Sequence, residues 1–181
     1  MGLFYTKKGD KGYSYIGKKK IYKLNPFVAA LGELDQLNSL IGIVKSQKIP
    51  TSLKKILHQV QENLFIIQAN LAYAMLKEKR KPPAFSSKKT KETESIIDNI
   101  ERKLKPAKRF VISGSTNISA WLDYLRAFSR KVERDVLGLK KLGNLDENIL
   151  PYLNRLSSLF FALARWEAKQ AGKKEQNPTY K

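Results

Sequence analysis

The amino-acid sequence predicts an all-α protein, an antiparallel bundle of five helices preceded by an ordered N-terminal loop segment. Apolar side chains recur every three or four residues over most of the 181-residue chain, which is the spacing of one buried helix face. The longest of these stretches reach about 23 to 26 residues and are joined by short turns, as in antiparallel bundles. No segment predicts a sheet with comparable strength. We interpret residues 1–181 as a single domain with the bundle over residues 26–171.

Proline residues mark the ends of the predicted helices. Pro26 can occupy the first turn of a helix, whereas Pro50 and Pro106 cannot continue one. Thr51 or Ser52 is expected to cap the second helix. The predicted helices cover residues 26–48, 51–76, 90–104, 116–139 and 146–171.

Three segments lie outside the predicted helices. Residues 1–25 are rich in glycine, lysine and tyrosine, and we expect an ordered loop with a short extended piece around residues 13–16. Residues 77–89 are charged and contain two consecutive prolines, so we expect a loose linker. Residues 172–181 form a polar tail.

The composition excludes several kinds of site. Cysteine is absent, which excludes disulfides, thiolate metal sites and a cysteine nucleophile. The single histidine, His58, excludes a multi-histidine metal site and is interpreted as structural, because it lies in an apolar-periodic stretch. No segment reaches the ~20 uncharged apolar residues of a membrane span, and the N-terminus lacks an apolar signal core. We therefore expect a cytoplasmic protein without a membrane partner.

The chain is strongly basic, with 35 lysines and arginines against 16 acidic residues and a formal net charge of +19. Such a charge suits binding to nucleic acid or to an anionic membrane surface. Lysine enrichment also occurs in heat-adapted proteins. A basic helical nucleic-acid-binding protein is therefore one alternative, although the charge is scattered and no recognised nucleic-acid motif is present.

The fourth predicted helix carries charged side chains that can bind a polyphosphate. Arg126, Arg130 and Glu133 are four and three residues apart on one face, and Arg134 lies one turn beyond Arg130. Two arginines one turn apart can hold phosphate groups bidentately, and the glutamate can position an arginine or a metal ion. A solvated face with weak ion pairs would show the same spacing, so the spacing alone leaves both interpretations open.

Other polar groups interrupt the apolar pattern. Asp35 lies beside the apolar stripe of the first helix and needs a cation, for which Arg126 is a candidate. Asn154 lies in the middle of the last helix, where asparagine has poor propensity, and this suggests a polar partner. Residues 5–12 combine two glycines with lysines and a threonine, which suits phosphate binding.

Taken together, these segments resemble the PduO-type family of ATP:corrinoid adenosyltransferases. The resemblance extends from residue 4 to about residue 170, does not include the linker at residues 77–89, and keeps the order and spacing of the family's motifs. The four matching regions are YTKKGDKG for the ATP loop, ALGELDQLNSLIG for the first helix, FVISGST with RAFSRKVER for the corrin-facing segment and arginine helix, and YLNRLSSLFFALAR for the last helix.

The resemblance implies a ferritin-like five-helix bundle that assembles as a homotrimer with active sites between subunits. It implies a catalytic set of Arg126, Arg130, Phe110 and Asp35, of which Phe110, Asp35 and Arg126 would face the corrinoid. Asp35 would pair with Arg126 across the subunit boundary, and Phe110 would lie against the lower face of the corrin. The implied ATP-binding residues are Thr6, Lys7, Lys8, Gly9, Ser14, Tyr15, Lys23, Arg130, Lys131, Glu133, Arg134 and Asn154.

The implied reaction moves the 5′-deoxyadenosyl group of ATP to the Co(I) of a reduced corrinoid. When the corrinoid is cobalamin, the products are adenosylcobalamin and triphosphate. The cobalt is the nucleophile, so the protein needs no nucleophile of its own. The protein must align the reactants and stabilise the leaving triphosphate, for which basic side chains and Mg²⁺ are suited, with Glu133 as the candidate metal ligand. A corrinoid reductase and an adenosylcobalamin-dependent acceptor enzyme are implied as partners.

The chain departs from the family pattern at several positions. Lys131 stands where the family usually has arginine, and Ser158 where it usually has aspartate. Gln36 stands in place of a usual glutamate and Asn70 in place of a common aspartate, and residues 113–115 read Ser-Gly-Ser where Pro-Gly-Gly is typical. A catalytically silent relative that binds ATP or corrinoid is therefore a second alternative.

Overall fold

Five helices and one short β-hairpin make up the fold. The computed structural model describes residues 4–5, 7–77, 79–106 and 109–180. The elements are β1 (Tyr13–Ile16), β2 (Lys19–Tyr22), α1 (Pro26–Ser46), α2 (Thr51–Leu76), α3 (Lys88–Leu104), α4 (Asn117–Leu139) and α5 (Ile149–Gln170). Helix α4 packs against α5 and α1, α5 also packs against α3, and α1 packs against α2.

The apolar stripes of the helices face a common core. On α1, Leu34, Leu37 and Ile41 are fully buried, and side chains from the other four helices join the same cluster. Full burial of one such side chain contributes roughly 1.5–3 kcal/mol, so helix propensity is secondary to packing here. The prediction of a mostly helical bundle is confirmed.

The start of α2 differs from the prediction. Pro50 is its N-cap residue and makes no side-chain cap hydrogen bond, so neither Thr51 nor Ser52 caps the helix. Helix α4 is capped as the sequence favours, since the Ser119 N–H donates to the Thr116 hydroxyl at 3.0 Å. The reciprocal bond runs from the Thr116 N–H to the Ser119 hydroxyl at 2.8 Å.

The N-terminal segment contains a β-hairpin where the sequence predicted a loop with one extended piece. Strands β1 and β2 are antiparallel with Tyr13 opposite Tyr22, and the two rings lie 5.6 Å apart. The Lys20 Nζ lies 4.0 Å from the centre of the Tyr13 ring. Cross-strand aromatic pairs stabilise such ribbons, and the lysine-rich second strand hid this signal in the sequence. Gly17 supplies the positive φ of +60° in the turn.

The segment predicted as a loose linker is anchored to the bundle. Phe85 is buried, and its ring meets the ring of Tyr152 edge-on at 5.2 Å. The Asn70 amide donates to the Pro83 carbonyl at 2.9 Å, and the Phe85 N–H donates to Asp146 Oδ2 at 3.3 Å. The prediction of a loose linker was therefore wrong. The charges and prolines of the segment favoured a linker, and a single phenylalanine was too weak a signal to predict the buried anchor. Asn70 has a structural role that an aspartate could not fill, since a carboxylate has no N–H to donate.

The C-terminal tail also packs on the protein, although the sequence predicted only a polar extension. The Ile112 N–H donates to the Gln176 carbonyl at 2.8 Å, and the Asn177 amide donates to the Phe110 carbonyl at 2.6 Å. Residues 173–177 therefore lie against the segment that joins α3 to α4 and carries Phe110.

By length and composition alone, one helix in the described part of the chain could cross a membrane. This helix is α1, with a mean hydropathy of 1.3. From the sequence we expected no such segment, because Glu33, Asp35 and Lys45 interrupt it. Its apolar side chains Leu34 and Leu37 are buried against other helices, and a core helix has the same composition.

Gly143 lies where the structure has no room for a side chain. A Cβ atom there would lie 2.9 Å from Phe27 Cζ and 3.3 Å from Ala74 Cβ. We expect Gly143→Ala to lower the free energy of unfolding by about 1–3 kcal/mol, because the buried Phe27 ring would have to move. Gly138 is the matched control: a Cβ there meets nothing within 4 Å, so Gly138→Ala should stabilise by about 0.5–1 kcal/mol. Urea unfolding measures both, and equal stabilities would contradict this packing.

Candidate active site

Arg126 and Arg130 extend from α4 into a cavity of about 450 Å³ between α3, α4 and α5. Phe161 and Ser158 of α5 line the same cavity. Within the described residues, no hydrogen bond or ion pair engages either guanidinium group. The structure thus brings together two of the predicted arginines and leaves their donor groups available for an anion.

Phe110 lies beside these arginines and is not a core residue. Its side chain is 79% exposed, and it lines a cavity of about 570 Å³ together with Arg126, Phe161 and Arg165. Arg126 and Phe161 line both cavities, so the two spaces adjoin. An apolar ring that faces an open cavity can cover one face of a large planar ligand.

Glu133 and Asn154 meet each other, as neighbouring side chains on α4 and α5. The Asn154 amide donates to Glu133 Oε1 at 2.7 Å. The partner of Glu133 is therefore an amide and not one of the arginines that the spacing on α4 suggested. The second carboxylate oxygen of Glu133 accepts no hydrogen bond from the described residues and can reach a metal ion or hold a ligand hydroxyl. Arg134 is exposed one turn beyond Arg130.

Lys131 binds two carboxylates of its own chain. Its ammonium group lies 2.6 Å from Glu33 Oε1 on α1 and 3.0 Å from Asp135 Oδ2 one turn further along α4. The hydrogen bond to Glu33 raises the pKa of Lys131, Asp135 adds to this, and burial opposes it. Lys131 therefore ties α4 to α1, and its predicted contact with ATP stays a prediction.

The N-terminal residues assigned to ATP gather around the hairpin. Gly9 lies next to Lys23, since a Cβ atom on Gly9 would be in ordinary contact with the Lys23 ammonium at 3.5 Å. The Lys8 ammonium lies 5.7 Å from the centre of the Tyr15 ring. Two backbone bonds, Gly12 N–H to Gly9 carbonyl and Lys23 N–H to Gly12 carbonyl, close the loop. These contacts hold several donors on a turn, as phosphate binding requires.

The remaining predicted residues of this segment differ in backbone conformation. Lys7 adopts a left-handed conformation with φ of +56°, and Ser14 is half-buried in β1. Thr6 lies outside the described residues. Lys19, next to the turn, donates to the Leu76 carbonyl at the end of α2. The hairpin thus contacts the end of α2 through Lys19, whereas the arginines lie between α3, α4 and α5.

Asp35 is exposed on α1 and forms no ion pair with Arg126 within the chain, both residues lying in the described part. A pairing across a subunit boundary, which the family resemblance implies, would require this exposure. The pairing stays a prediction.

A buried ion cluster that was not predicted from the sequence lines the cavity that contains Phe110. Arg165 and Asp123 are only 6% and 4% exposed, and they form two parallel bonds of 3.1 and 2.7 Å. Glu175 of the tail binds the Nε of Arg165. Burial alone would lower the pKa of Arg165, but hydrogen bonds to Asp123 and the charges of Asp123 and Glu175 outweigh it and raise that pKa. The available signal was Arg165 within the apolar run LFFALARW of α5 and Asp123 within the run AWLDYL of α4.

These groups can hold an anion and a planar ligand next to each other. Arginine guanidinium groups bind phosphate oxygens bidentately, and the apolar side of the Phe110 cavity excludes water from one face of a bound ring. Among the described residues, no three histidine, aspartate or glutamate side chains converge on a point where a metal ion could bind. A metal ion would therefore take most of its ligands from a phosphate substrate and from water, which is how Mg²⁺ commonly binds.

The chain matches known proteins over nearly its whole length. Residues 4–167 match the family model described as cobalamin adenosyltransferase. The corrinoid adenosyltransferase MMAB of Mus musculus is 33% identical over 183 aligned positions, which cover 95% of this chain and 75% of that protein. The corrinoid adenosyltransferase PduO of Salmonella typhimurium is 29% identical over 92% of this chain, and the chain spans half the length of that relative.

A solved structure shares the fold. It is a variant, with histidine in place of one phenylalanine, of a PduO-type ATP:corrinoid adenosyltransferase from Lactobacillus reuteri complexed with cobalamin and ATP. It has a TM-score of 0.90 and 32% sequence identity, and the match covers 97% of this chain and 96% of that one. The chain belongs to the cobalamin adenosyltransferase family.

Proposed function

We propose that this chain transfers the 5′-deoxyadenosyl group of ATP to the Co(I) of a reduced corrinoid. The observation that carries the proposal is the shared wall of two cavities: Phe110 lines one, Arg130 lines the other, and Arg126 and Phe161 line both. A corrin ring over Phe110 and a triphosphate at Arg130 would lie next to each other. The cobalt electron pair forms the bond to the 5′ carbon, the carbon–oxygen bond breaks, and triphosphate leaves with the electrons.

The protein's contribution to this reaction is positioning and charge. The guanidinium groups of Arg126 and Arg130 supply donors for the charge that develops on the leaving triphosphate. Glu133, held by Asn154, is the carboxylate that suits a Mg²⁺ ion brought in with ATP. Holding the two reactants side by side replaces a bimolecular encounter by a reaction within one complex.

We extend the proposal to a homotrimer with active sites between subunits. The N-terminal segment that carries Lys8, Gly9 and Lys23 contacts the end of α2 through Lys19, whereas the arginines lie between α3, α4 and α5. One subunit would then complete its neighbour's ATP site, and the exposed Asp35 would pair with Arg126 of that neighbour. Light scattering should give three times the chain mass of 20.7 kDa. We also propose that the protein is cytoplasmic and that its partners are a corrinoid reductase and an adenosylcobalamin-dependent acceptor enzyme.

The test of the activity is spectroscopic. The purified protein is mixed under anaerobic conditions with chemically reduced cobalamin, ATP and Mg²⁺, and adenosylcobalamin formation is followed by absorbance. Product at an enzymatic rate supports the proposal. Binding of ATP and corrinoid without product would identify a silent relative and contradict it. Binding to nucleic acid, the other alternative from the sequence, is not favoured by the family relationship.

Phe110 is expected to matter most when the corrinoid arrives as Co(II). An apolar side chain below the ring excludes water and the corrinoid's own base from the lower face, and four-coordinate Co(II) accepts an electron more readily. We expect Phe110→Ala to slow the reaction from Co(II) with a reductant at least about tenfold, or roughly 1.4 kcal/mol in barrier. The reaction from chemically prepared Co(I) should slow much less.

The two rates are measured side by side by absorbance, with Phe65→Ala as the control. Phe65 is an exposed phenylalanine on α2, outside both cavities. Equal slowing of the Co(II) and Co(I) reactions in Phe110→Ala would contradict a role in reduction and leave Phe110 as a general contact for the ring.

A further inference from the structure

A small polar cavity lies between the C-terminal tail and the segment that follows Phe110. It measures about 250 Å³ and is lined by Ser113, Ser115, Lys173 and Lys174, among others. Gly114, between the two serines, has a φ of +105°, so the backbone turns sharply there. Two hydroxyl groups on this sharply turned segment, together with two ammonium groups from the tail, suit a phosphate group.

The hydroxyl and ammonium groups at this cavity have no partner among the residues that the structure describes. Across residues 109–180 and the other described ranges, no hydrogen bond or ion pair engages the hydroxyls of Ser113 and Ser115 or the ammonium groups of Lys173 and Lys174. The neighbouring carboxylate, Glu175, is already bound to Arg165. Two uncompensated positive charges therefore lie side by side at the cavity.

The backbone around the cavity is held in place from both sides. The tail leaves α5 through Gly172, with a φ of +65°, and the Lys173 N–H donates to the Ala168 carbonyl at 2.9 Å. The Ile112 N–H donates to the Gln176 carbonyl at 2.8 Å, and the Asn177 amide binds the Phe110 carbonyl. The cavity therefore exists before a ligand binds, which reduces the entropy cost of binding.

The lysines are also connected to the proposed corrin face. Lys173 and Lys174 line a second cavity of about 540 Å³. That cavity shares Arg109, Val111 and Phe161 with the cavity that contains Phe110. A flexible chain that leaves the lower face of a ring at Phe110 can thus reach Lys173 and Lys174 along a continuous wall.

We propose that Ser113, Ser115, Lys173 and Lys174 bind the phosphodiester of the corrinoid's nucleotide loop after Phe110 has displaced the lower base. This inference rests on the proposed function, because it assigns a place to the part of the substrate that Phe110 expels. The phosphodiester carries one negative charge and hangs from the ring edge by a flexible linker. Its capture would hold the displaced base away from the cobalt and would let the protein distinguish complete corrinoids from those without a nucleotide loop.

The test compares two Co(II) corrinoids, cobalamin and cobinamide, of which cobinamide lacks the nucleotide loop and its phosphodiester. Equilibrium binding to the full chain with ATP is measured by titration, so the result does not depend on turnover. The wild-type protein should bind cobalamin more tightly. Lys173→Ala with Lys174→Ala should weaken cobalamin binding by roughly tenfold, the effect of one charge-assisted hydrogen bond, and should leave cobinamide and ATP binding unchanged.

The matched control is Lys140→Ala with Lys141→Ala, which removes the same charge from two adjacent exposed lysines beyond α4. The proposal would be overturned if the Lys173 and Lys174 variant bound cobalamin and cobinamide more weakly by the same factor. It would also be overturned if the control variant lost as much affinity for cobalamin. Weaker ATP binding instead would assign the site to the nucleotide's triphosphate and overturn it too. Ser113→Ala with Ser115→Ala, which leaves the charge intact, should weaken cobalamin alone by a smaller factor. Failure of the transferase assay with this selectivity retained would reject only the proposed activity.

Discussion

Arg130→Ala is expected to lower kcat/KM for adenosylcobalamin formation by at least about a hundredfold while the fold stays intact. Loss of a single preorganised donor to a developing negative charge typically costs that much. Arg130 is exposed and lines the cavity that adjoins the Phe110 cavity. Its truncation therefore creates no void in the hydrophobic core and removes no hydrogen bond from a buried group. Arg130→Lys keeps the charge but loses the bidentate fork and should give an intermediate rate.

The control for this experiment is Arg102→Ala. Arg102 is an exposed arginine on α3 that lines neither of the two active-site cavities. Steady-state rates with saturating Co(I) corrinoid and varied ATP, together with circular dichroism spectra, measure the effect. A rate for Arg130→Ala within a few-fold of the Arg102→Ala rate would remove Arg130 from the triphosphate site.

Asp123→Ala is expected to lower the free energy of unfolding by about 3 kcal/mol. The substitution leaves Arg165 buried with its bidentate partner missing, and an uncompensated buried charge is costly. The remaining bond to Glu175 keeps the loss near the lower end of the usual range for broken buried pairs. Urea unfolding followed by circular dichroism measures the change.

Two further variants separate the charge effect from lost packing. Asp98→Ala, at an exposed aspartate on α3, should change stability by less than about 0.5 kcal/mol. Asp123→Leu combined with Arg165→Met removes both charges and should recover most of the stability, since replacing a buried pair by apolar residues is often neutral. A double variant no more stable than Asp123→Ala would show that packing, and not the unpaired arginine, accounts for the loss.

The sequence predicted much of the fold because helix periodicity is a local property. The buried positions Leu34, Leu37 and Ile41 of α1 follow from spacing alone, and Thr116 was a recognisable start for α4. The β-hairpin was harder to predict, since its stability depends on the pairing of Tyr13 with Tyr22 across the strands. The segment around Phe85 was misjudged for a similar reason: its partners Asn70, Tyr152 and Asp146 are distant in sequence.

The candidate site was likewise predictable from the sequence only in part. Arg126 and Arg130 were predicted from a four-residue spacing and a family motif, and the structure places both in one cavity. Glu133 was predicted with them, but its contact with Asn154 joins two helices and could not be read from the spacing on one. Lys131 was predicted as an ATP ligand as well, and that contact stays a prediction; its ion pair with Glu33 of α1 at 2.6 Å joins two helices and could not be predicted from the spacing on one.

By itself, the sequence determined the helical class, the five helices and the family, and it predicted the candidate arginines, because each depends on residue types at short spacing. Only the tertiary structure decided that Asp123, Arg165 and Glu175 form one buried cluster. It also decided that the tail lies against Phe110 and that Lys173 and Lys174 meet Ser113 and Ser115 around a cavity. The physical reason is that burial of an unpaired charge is costly, so a buried charge is paired with a group that is close in space. Separation along the sequence does not identify that group.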